Sequence, residues 1–526
     1  MLDNQHQSRA GERIFPWRSA RRIIQALSLG GFLVSFAQIG RQGRMGGGSA
    51  AWVGKLPIQL DPLAALAHST AGRVLLTGSL FALGTVLVTL VFGRVFCGWL
   101  CPLGTVLDWL PFRRIQRKLA VPARWRSIKF VLLGVIFLGA VFSSLTLVVF
   151  DPLTLVYRTL AGAVWPALDQ AVTAAERVLF RVPFLQGPVA AFDGFARSHF
   201  LPSTPVVGRS GWLFAGLFLG VAVLDAAAPR FWCRYLCPLG GLLGLIGKAA
   251  VIKARINSRC TDCGRCGAVC PTGAISGRAR DGVAHSECTM CMNCSEACSR
   301  RAVEFTPALS LSPPQSFDPG RREVLISAGT VLAGVGLSRL PLLRAEGHPH
   351  RILPPGSAED EFLSSCLRCG ACLTACPTGG LQHSLVESGW EGLWAPVLVP
   401  RLGQCDYSCR ACGQACPVGA IPFLTLQTKR EQVIGKAFLN RERCIAWADE
   451  EDCIVCEEMC PVPDKAITLQ GKGGEADGDG QFTVQQPIID RDLCIGCGIC
   501  EHQCPVEGEA AVRVFSTGWI PDSRYW

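Results

Sequence analysis

Four apolar stretches mark the first half of the chain, at about residues 23–40, 74–96, 128–150 and 211–228. Each approaches or reaches the roughly 20 residues that a helix needs to cross a bilayer. Basic residues cluster at alternate ends of these stretches. Arg9, Arg13, Arg18, Arg21 and Arg22 precede the first. Arg94, Arg113, Arg114, Arg117, Lys118, Arg124, Arg126 and Lys129 lie between the second and third, and Arg230, Arg234, Lys248, Lys253 and Arg255 follow the fourth. The connections 41–73 and 151–210 are poorer in cations for their length. Cytoplasmic loops carry the excess of Lys and Arg, so the pattern predicts a cytoplasmic N-terminus and cytoplasmic ends for helices two and four.

Beyond residue 250 the pattern becomes that of small soluble units. Residues 251–305 form one, and a linker with prolines and serines opens the segment 306–344. That segment continues with Gly320-Arg321-Arg322-Glu323 and an apolar run to about Leu343. Paired arginines before a moderately apolar stretch look like a twin-arginine export signal placed internally. An ordinary fifth transmembrane helix and an amphipathic segment lying flat stay open beside it. The first two readings send residues 345–526 across the membrane. Short apolar stretches after Cys-Pro pairs, at 273–275, 419–421 and 465–469, suggest the strands of small ferredoxin units. Residues 471–480 (GKGGEADGDG) read as a polar loop.

Composition supports a membrane portion, since charged residues make up 17% of the chain against about 25% in soluble domains. The net charge of +10 is accounted for by the loop cations. With no interleaved aromatic and basic patch, no nucleic-acid partner is expected.

The 28 cysteines change the picture most. Disulfide frameworks belong to short secreted scaffolds, whereas here the spacing C-x2-C-x2-C-x3-C recurs, the run that ligates [4Fe–4S] clusters in bacterial ferredoxins. The first unit contains Cys260, Cys263, Cys266 and Cys270, then Cys288, Cys291, Cys294 and Cys298. Since the fourth cysteine of each run serves the other cluster, one cluster is expected on Cys260, Cys263, Cys266 and Cys298. The second is expected on Cys288, Cys291, Cys294 and Cys270. Residues 345–526 hold four more sets: Cys366, Cys369, Cys372, Cys376; Cys405, Cys409, Cys412, Cys416; Cys444, Cys453, Cys456, Cys460; and Cys494, Cys497, Cys500, Cys504. The second has one extra residue in its first gap, and the third has a long first gap with Trp447 and the acidic Asp449–Asp452. Spacing leaves the pairing of these four sets open. The reading is six [4Fe–4S] clusters, with four-cysteine zinc sites as the structural alternative. The acidic stretch suits either a solvated loop or a docking surface.

The remaining four cysteines form two matched motifs, Cys97-Gly-Trp-Leu-Cys101-Pro-Leu-Gly and Cys233-Arg-Tyr-Leu-Cys237-Pro-Leu-Gly, closing helices two and four over residues 1–250. Spacing of i, i+4 places both sulfurs of a pair on one helix face, and the proline ends or bends the helix. Four thiolates from two such helices suit a metal, an additional cluster or a redox dithiol; inert buried cysteine is the plain alternative. The fold class expected is a membrane α-helical bundle of four transmembrane helices plus a fifth, bearing small α+β ferredoxin-like 2[4Fe–4S] domains.

On these motifs, residues 1–305 resemble the NapH/MauN-type membrane component of quinol dehydrogenases. Residues 321–526 resemble the NapG/MauM-type periplasmic ferredoxin, including the twin-arginine start and the irregular Cys444-Ile-Ala-Trp set. The chain therefore looks like a fusion of two proteins usually made separately. The resemblance implies an inner-membrane, multi-pass protein that passes electrons from membrane quinol to a periplasmic acceptor such as a reductase or c-type cytochrome, as a quinol dehydrogenase component. Candidate proton-handling acids near helix ends are Asp108, Asp151 and Asp225. The four main apolar helices lack histidine and no C-x-x-C-H occurs, which argues against haem, and no G-x-G-x-x-G after a strand suggests a flavin or nicotinamide site. A membrane ferredoxin reductase serving metal-centre or cofactor maturation, of the CcoG-like kind, is the first rival, and a cluster-bearing redox sensor the second.

Overall fold

Proline fixes where several helices begin. It needs no amide partner in the first helical turn and its φ is already helical, so an Asp-Pro or Cys-Pro step makes a sharp start. The computed structural model describes residues 16–45, 51–74, 78–110, 123–199, 201–202, 207–275, 282–307, 325, 328–330, 332–333, 348, 350–385, 387–471, 484–522 and 524. Its helices run, in order, α1 (Trp17–Met45), α2 (Ala51–Gln59), α3 (Pro62–Gly72), α4 (Ser79–Phe92), α5 (Pro102–Trp109), α6 (Ile128–Val141), α7 (Pro152–Thr159), α8 (Trp165–Leu179), α9 (Gln186–His199), α10 (Gly211–Ala227) and α11 (Pro238–Gly247). Of these, α3 and α7 follow Asp61 and Asp151, whose carboxylates accept from the first backbone amides. Helices α5 and α11 follow Cys101 and Cys237.

Helices α4, α6 and α10 are shorter than the stretches that predict them, whereas α1 runs past both ends of its own. Among the described residues one helix, over Trp17–Arg41, has both the length and the hydropathy to cross a membrane; Ser79–Phe92, Gly211–Ala227 and Pro238–Gly247 are apolar but span 10–17 residues. The four full-length spans expected at 23–40, 74–96, 128–150 and 211–228 are thus reduced to one, for identifiable backbone reasons. The second breaks at Gly93, at φ +69°, a conformation glycine adopts freely. The third ends at Val141, before Ser143 in the left-handed region at φ 61°. The fifth helix, or export signal, expected within 306–344 lies almost wholly outside the described residues.

The chain divides into two compact units. One consists of Met1–Leu33, Ala82–Leu133 and Val221–Val324. Its soluble part is closed by strands β1 (Ile252–Ile256) and β2 (Val303–Pro307), paired antiparallel with Ala254 opposite Phe305. Between them, the short cysteine helices α12 (Arg265–Ala268) and α13 (Asn293–Ala297) pack on each other. The other unit consists of Val34–Phe81, Gly134–Gly220 and Leu325–Trp526. It has three two-stranded antiparallel pairs: β3 (Leu381–His383) with β4 (Pro396–Leu398), β5 (Gly435–Leu439) with β8 (Val512–Ser516), and β6 (Ile467–Gly471) with β7 (Gln485–Ile489). Of the predicted strands, only 465–469 is realised, as part of β6. Residues 273–275 and 419–421 are loops whose Ala274, Ile275 and Ile421 are buried. Their apolar character fills the core beside the cysteines rather than a ladder.

In the first unit, Gly98 is a close-packing position. A Cβ there would lie 2.2 Å from the Thr289 carbonyl oxygen, inside the loop between Cys288 and Cys291. A Gly98→Ala substitution should therefore lower stability by roughly 1–3 kcal/mol, the range for overpacking. Gly134, whose Cβ would meet nothing within 4 Å, is the control. Thermal unfolding followed by circular dichroism checks this: Gly98→Ala melts earlier and Gly134→Ala does not.

Candidate iron–sulfur centres

Each cysteine run folds as an irregular loop that leads into one short helical turn. This aims several thiols inward and turns backbone amides toward the sulfurs. In the first unit, the amides of Asp262, Ala274 and Ala302 donate to Sγ of Cys260 (3.4 Å), Cys270 (3.2 Å) and Cys298 (3.3 Å). Cys266 senses Cys260 and Cys298, and Cys294 senses Cys288, Cys291 and Cys270. The last cysteine of each run thus lies within electrostatic reach of the other run.

In the second unit the thiols act on one another in neighbouring groups. Cys372 is surrounded by Cys366, Cys369 and Cys416. Cys412 is surrounded by Cys405, Cys376 and Cys409. Cys456 senses Cys444, Cys453 and Cys504, while Cys497 senses Cys494 and Cys460. Adjacent quartets also touch electrostatically. Cys372 senses Cys412, Cys497 senses Cys405, and Cys500 senses Cys456. A backbone hydrogen bond from the Cys405 amide to the Cys497 carbonyl (2.8 Å) ties the middle pair. The quartets therefore follow one another in the order Cys366, Cys405, Cys494, Cys444. The exposed stretch Asp449–Asp452 flanks the end of this row.

These thiols fit a polynuclear iron–sulfur group better than a single ion. Among the described residues no three His, Cys, Asp or Glu side chains converge closely enough for one metal ion, as a zinc site with Zn–S of about 2.3 Å requires. Burial pushes the Cys366 thiol up to about 11 and the Cys288 and Cys369 thiols up to about 12. Without a metal such thiols stay protonated, so loading a cluster must displace protons.

The twin C-x-x-x-C-P segments depart from the expected geometry. Phe96–Leu100 and Trp232–Leu236 are single π-helical turns, a form frequent at functional sites. Cys101 and Cys237 are extended residues at the start of α5 and α11 (ψ 121° and 110°). The pairs are therefore not i, i+4 neighbours on one α-helix face, because the proline has already begun a new helix. All four thiols are buried. Cys101 senses Cys97 and Cys233, and Cys237 senses all three others.

Two arginines, each three residues before a motif, cross to the opposite one. The Arg230 guanidinium donates to the Cys97 carbonyl (3.1 Å) and the Gly104 carbonyl (3.4 Å). Arg94 lies against Gly240, whose Cβ would sit 2.6 Å from its Nη2. The Arg94 guanidinium donates to the Ser286 carbonyl (2.8 Å), and its Nε and Nη2 have no hydrogen-bond partner among the described residues. Buried Glu287 accepts from Lys129 (2.6 Å), and the Trp99 indole donates to the Met290 carbonyl (2.9 Å). The Cys288–Cys291 loop is thus seated on the first motif.

Of the candidate proton-handling acids, Asp108 is bound in an ion pair with Arg230 (2.6 Å) and accepts from Gln25 (2.9 Å). Burial pushes its carboxyl up, but Arg230 outweighs this and holds it at about 2. Asp225 is buried on α10. Asp151 faces a second buried acid, Asp61. Sequence reasoning missed Asp61 and the crossing roles of Arg94 and Arg230. The signals were present as duplicated Asp-Pro-Leu steps at 61–63 and 151–153, and as an arginine at the same offset before each cysteine motif.

Comparison with known proteins agrees with this layout. Residues 74–122 and 210–257 each match a family model described as a 4Fe-4S binding domain. Residues 252–299 and 362–421 match models described as 4Fe-4S dicluster domains, and residues 487–508 match a 4Fe-4S binding domain. Over 213 residues the chain is 36% identical to the methylamine utilization ferredoxin-type protein MauM of Methylorubrum extorquens, covering 39% of this chain and 91% of the relative. It is 32% identical over 209 residues to the ferredoxin-type protein NapG of Haemophilus influenzae, covering 38% and 72%. It is also 26% identical over 268 residues to the ferredoxin-type protein MauN of Methylobacillus flagellatus, covering 48% and 76%. No solved structure matches. With several 4Fe–4S domains and a relative matched over nearly its whole length, the chain belongs to the MauM/NapG family of ferredoxin-type electron-transfer proteins.

Proposed function

We propose that this chain is a multi-pass inner-membrane protein that passes electrons from quinol to a periplasmic acceptor such as a reductase or c-type cytochrome. The observation that carries the reading is the set of four cysteine quartets in the second unit, which share one core and whose Cys405 amide donates to the Cys497 carbonyl (2.8 Å). When bound, a [4Fe–4S] cluster supplies one-electron storage at a potential tuned by charge, hydrogen bonds and burial. Six such clusters are proposed, held by the two quartets of the first unit and the four of the second. The cysteines supply thiolates, the loop amides donate to sulfur, and the small antiparallel pairs hold the loops in register.

The membrane reading rests on α1 and on apolar side chains left uncovered on the shorter helices. Leu80 is 76% exposed on α4, and Trp212 is 75% and Leu219 60% exposed on α10. Such faces suit lipid rather than water. With their adjoining turns the short helices approach bilayer length, and the basic flanks put the first ferredoxin domain in the cytoplasm. The polyferredoxin after residue 345 is then periplasmic. Similarity to both MauM- or NapG-type and MauN-type proteins supports a fusion of the two kinds. Cys97, Cys101, Cys233 and Cys237, with Arg94 and Arg230 as buried countercharges, make a further redox site between the repeats.

Sealed, oxygen-free membrane vesicles containing the full chain test the donor. Addition of a reduced quinone should bleach the clusters' visible absorption within the mixing experiment. Absence of bleaching, with dithionite still effective, would remove quinol as donor. Protease added outside right-side-out vesicles should cleave only the 345–526 lobe; cleavage of both lobes contradicts the bridging topology.

Protonation of the buried thiols competes with iron. Equilibration at pH 5.5 should therefore leave less bound iron than at pH 8, because thiols with raised pKa reclaim their protons as pH falls. Iron assay after desalting checks this, and equal content at both values would contradict it.

A further inference from the structure

Asp61 and Asp151 belong to the second unit and open α3 and α7 with the same Asp-Pro-Leu step. Both are 0% exposed. Each spends one oxygen on its helix start. Asp61 Oδ1 accepts from the Leu63 and Ala64 amides (2.8 and 3.3 Å), and Asp151 Oδ2 accepts from Leu153 and Thr154 (both 2.9 Å). The other two oxygens, Asp61 Oδ2 and Asp151 Oδ1, meet no donor among the described residues. The two buried carboxyls act on each other. Two carboxylates so placed in a buried site cannot both ionise; they share a proton, as carboxyl dyads do.

A helix cap needs one acid, and two caps need not face each other. Burying a second acidic oxygen against the first is costly unless a proton or a cation serves it. The nearby cation is Arg158, fully buried on α7, which senses both Asp151 and Cys369. Its Nη2 donates to the Val149 carbonyl (2.8 Å) and its guanidinium lies over Trp394, 4.6 Å from the ring centroid. Its Nη1 has no hydrogen-bond partner among the described residues. Arg368 also acts on Arg158, and Tyr157 senses Cys369 while its hydroxyl donates to the Gly54 carbonyl (3.0 Å). On α2, Lys55 senses Cys416. On α3, His68 Nδ1 stands 3.0 Å from the Ser365 carbonyl. One buried guanidinium is therefore acted on both by a dyad carrying one negative charge and by the quartet of Cys366, Cys369, Cys372 and Cys416.

We propose that the Asp61–Asp151 dyad is a redox-linked proton site, taking one proton from solvent when one electron arrives at the Cys366 quartet and releasing it when the electron moves on. The balance is one electron to the quartet and one proton to the dyad, which passes from one shared proton to two. The total charge around Arg158 then stays constant. Any one-electron donor serves, so the proposal does not depend on quinol being the source.

The test is a redox titration of the anaerobically purified, cluster-loaded full chain, followed by electron paramagnetic resonance from pH 5.5 to 9. The Cys366-quartet component is identified as the signal lost in Cys372→Ser. Reduction favours the doubly protonated dyad, so that component's midpoint potential should fall as pH rises. The limiting slope is one tenfold proton-activity change per pH unit, which converts at about 59 mV for a one-electron couple. Asparagine caps a helix about as well as aspartate, so Asp61→Asn and Asp151→Asn should keep iron content while flattening the slope of this component alone. A pH-independent potential in the wild type overturns the proposal, as does a slope that survives in either iron-loaded variant. Should both variants fail to load, the wild-type redox-difference infrared spectrum decides. A protonated-carboxyl band that appears on reduction supports the dyad, and its absence overturns it.

Discussion

Buried sulfur without a counter-ion is the constraint on which the rest of this structure depends. The quartets bury eleven of their 24 thiols and half-bury twelve more, and in such places a free thiolate is strongly disfavoured while a protonated thiol makes only weak hydrogen bonds. Inorganic iron removes that conflict by binding the thiolates directly, and the surrounding backbone amides then have anionic sulfur to donate to. The small strand pairs add Leu381, Leu398, Ala437, Leu439, Ile467, Val512 and Val514 to the core. Much of what packs in the second unit, including Cys366, Cys372, Cys416, Cys444, Cys456, Cys494 and Cys500, is the cysteine framework itself. Folding and cluster binding are accordingly one process in these lobes, as in other small metal-dependent domains.

The same electrostatic requirement explains the twin motifs. Their four thiols are buried with two arginines, and each arginine reaches the opposite repeat. Glu287, Lys129 and Asp108 complete the local charge balance. This network also seats the Cys288–Cys291 loop, so that charge pairing within the first unit and positioning of its ferredoxin loop are one set of contacts. In the second unit the carboxyl dyad and Arg158 meet the same requirement with a proton in place of a metal.

Sequence spacing made a crossed pairing the expectation in the first ferredoxin unit, because C-x2-C-x2-C-x3-C constrains which thiols can converge. It could not decide the pairing of the Cys405 and Cys444 sets, where an extra residue and a long gap remove that constraint. In the fold Cys416 lies within electrostatic reach of Cys372, Cys376 of Cys412, Cys504 of Cys456 and Cys460 of Cys497. Apolar runs misled in two ways. Residues 273–275 and 419–421 have strand-like composition but serve as core-filling loops, and the long apolar stretches are cut by Gly93 and Ser143, whose positive φ no hydropathy window registers. Spacing of i, i+4 between Cys97 and Cys101 implied a shared helix face, yet Pro102 starts a new helix between them and the next turn. The Asp61–Asp151 interaction joins positions far apart in sequence, which only tertiary packing reveals.

The central claim is that repeated cysteine quartets in this chain hold inorganic iron. Iron and acid-labile sulfide, counted on the full-length protein purified without oxygen, address it most directly. About four irons and four sulfides are expected for each of six quartets, roughly 24 of each, with any excess assigned to Cys97, Cys101, Cys233 and Cys237. A preparation with intact fold that contains far less iron, or zinc in its place, would contradict it.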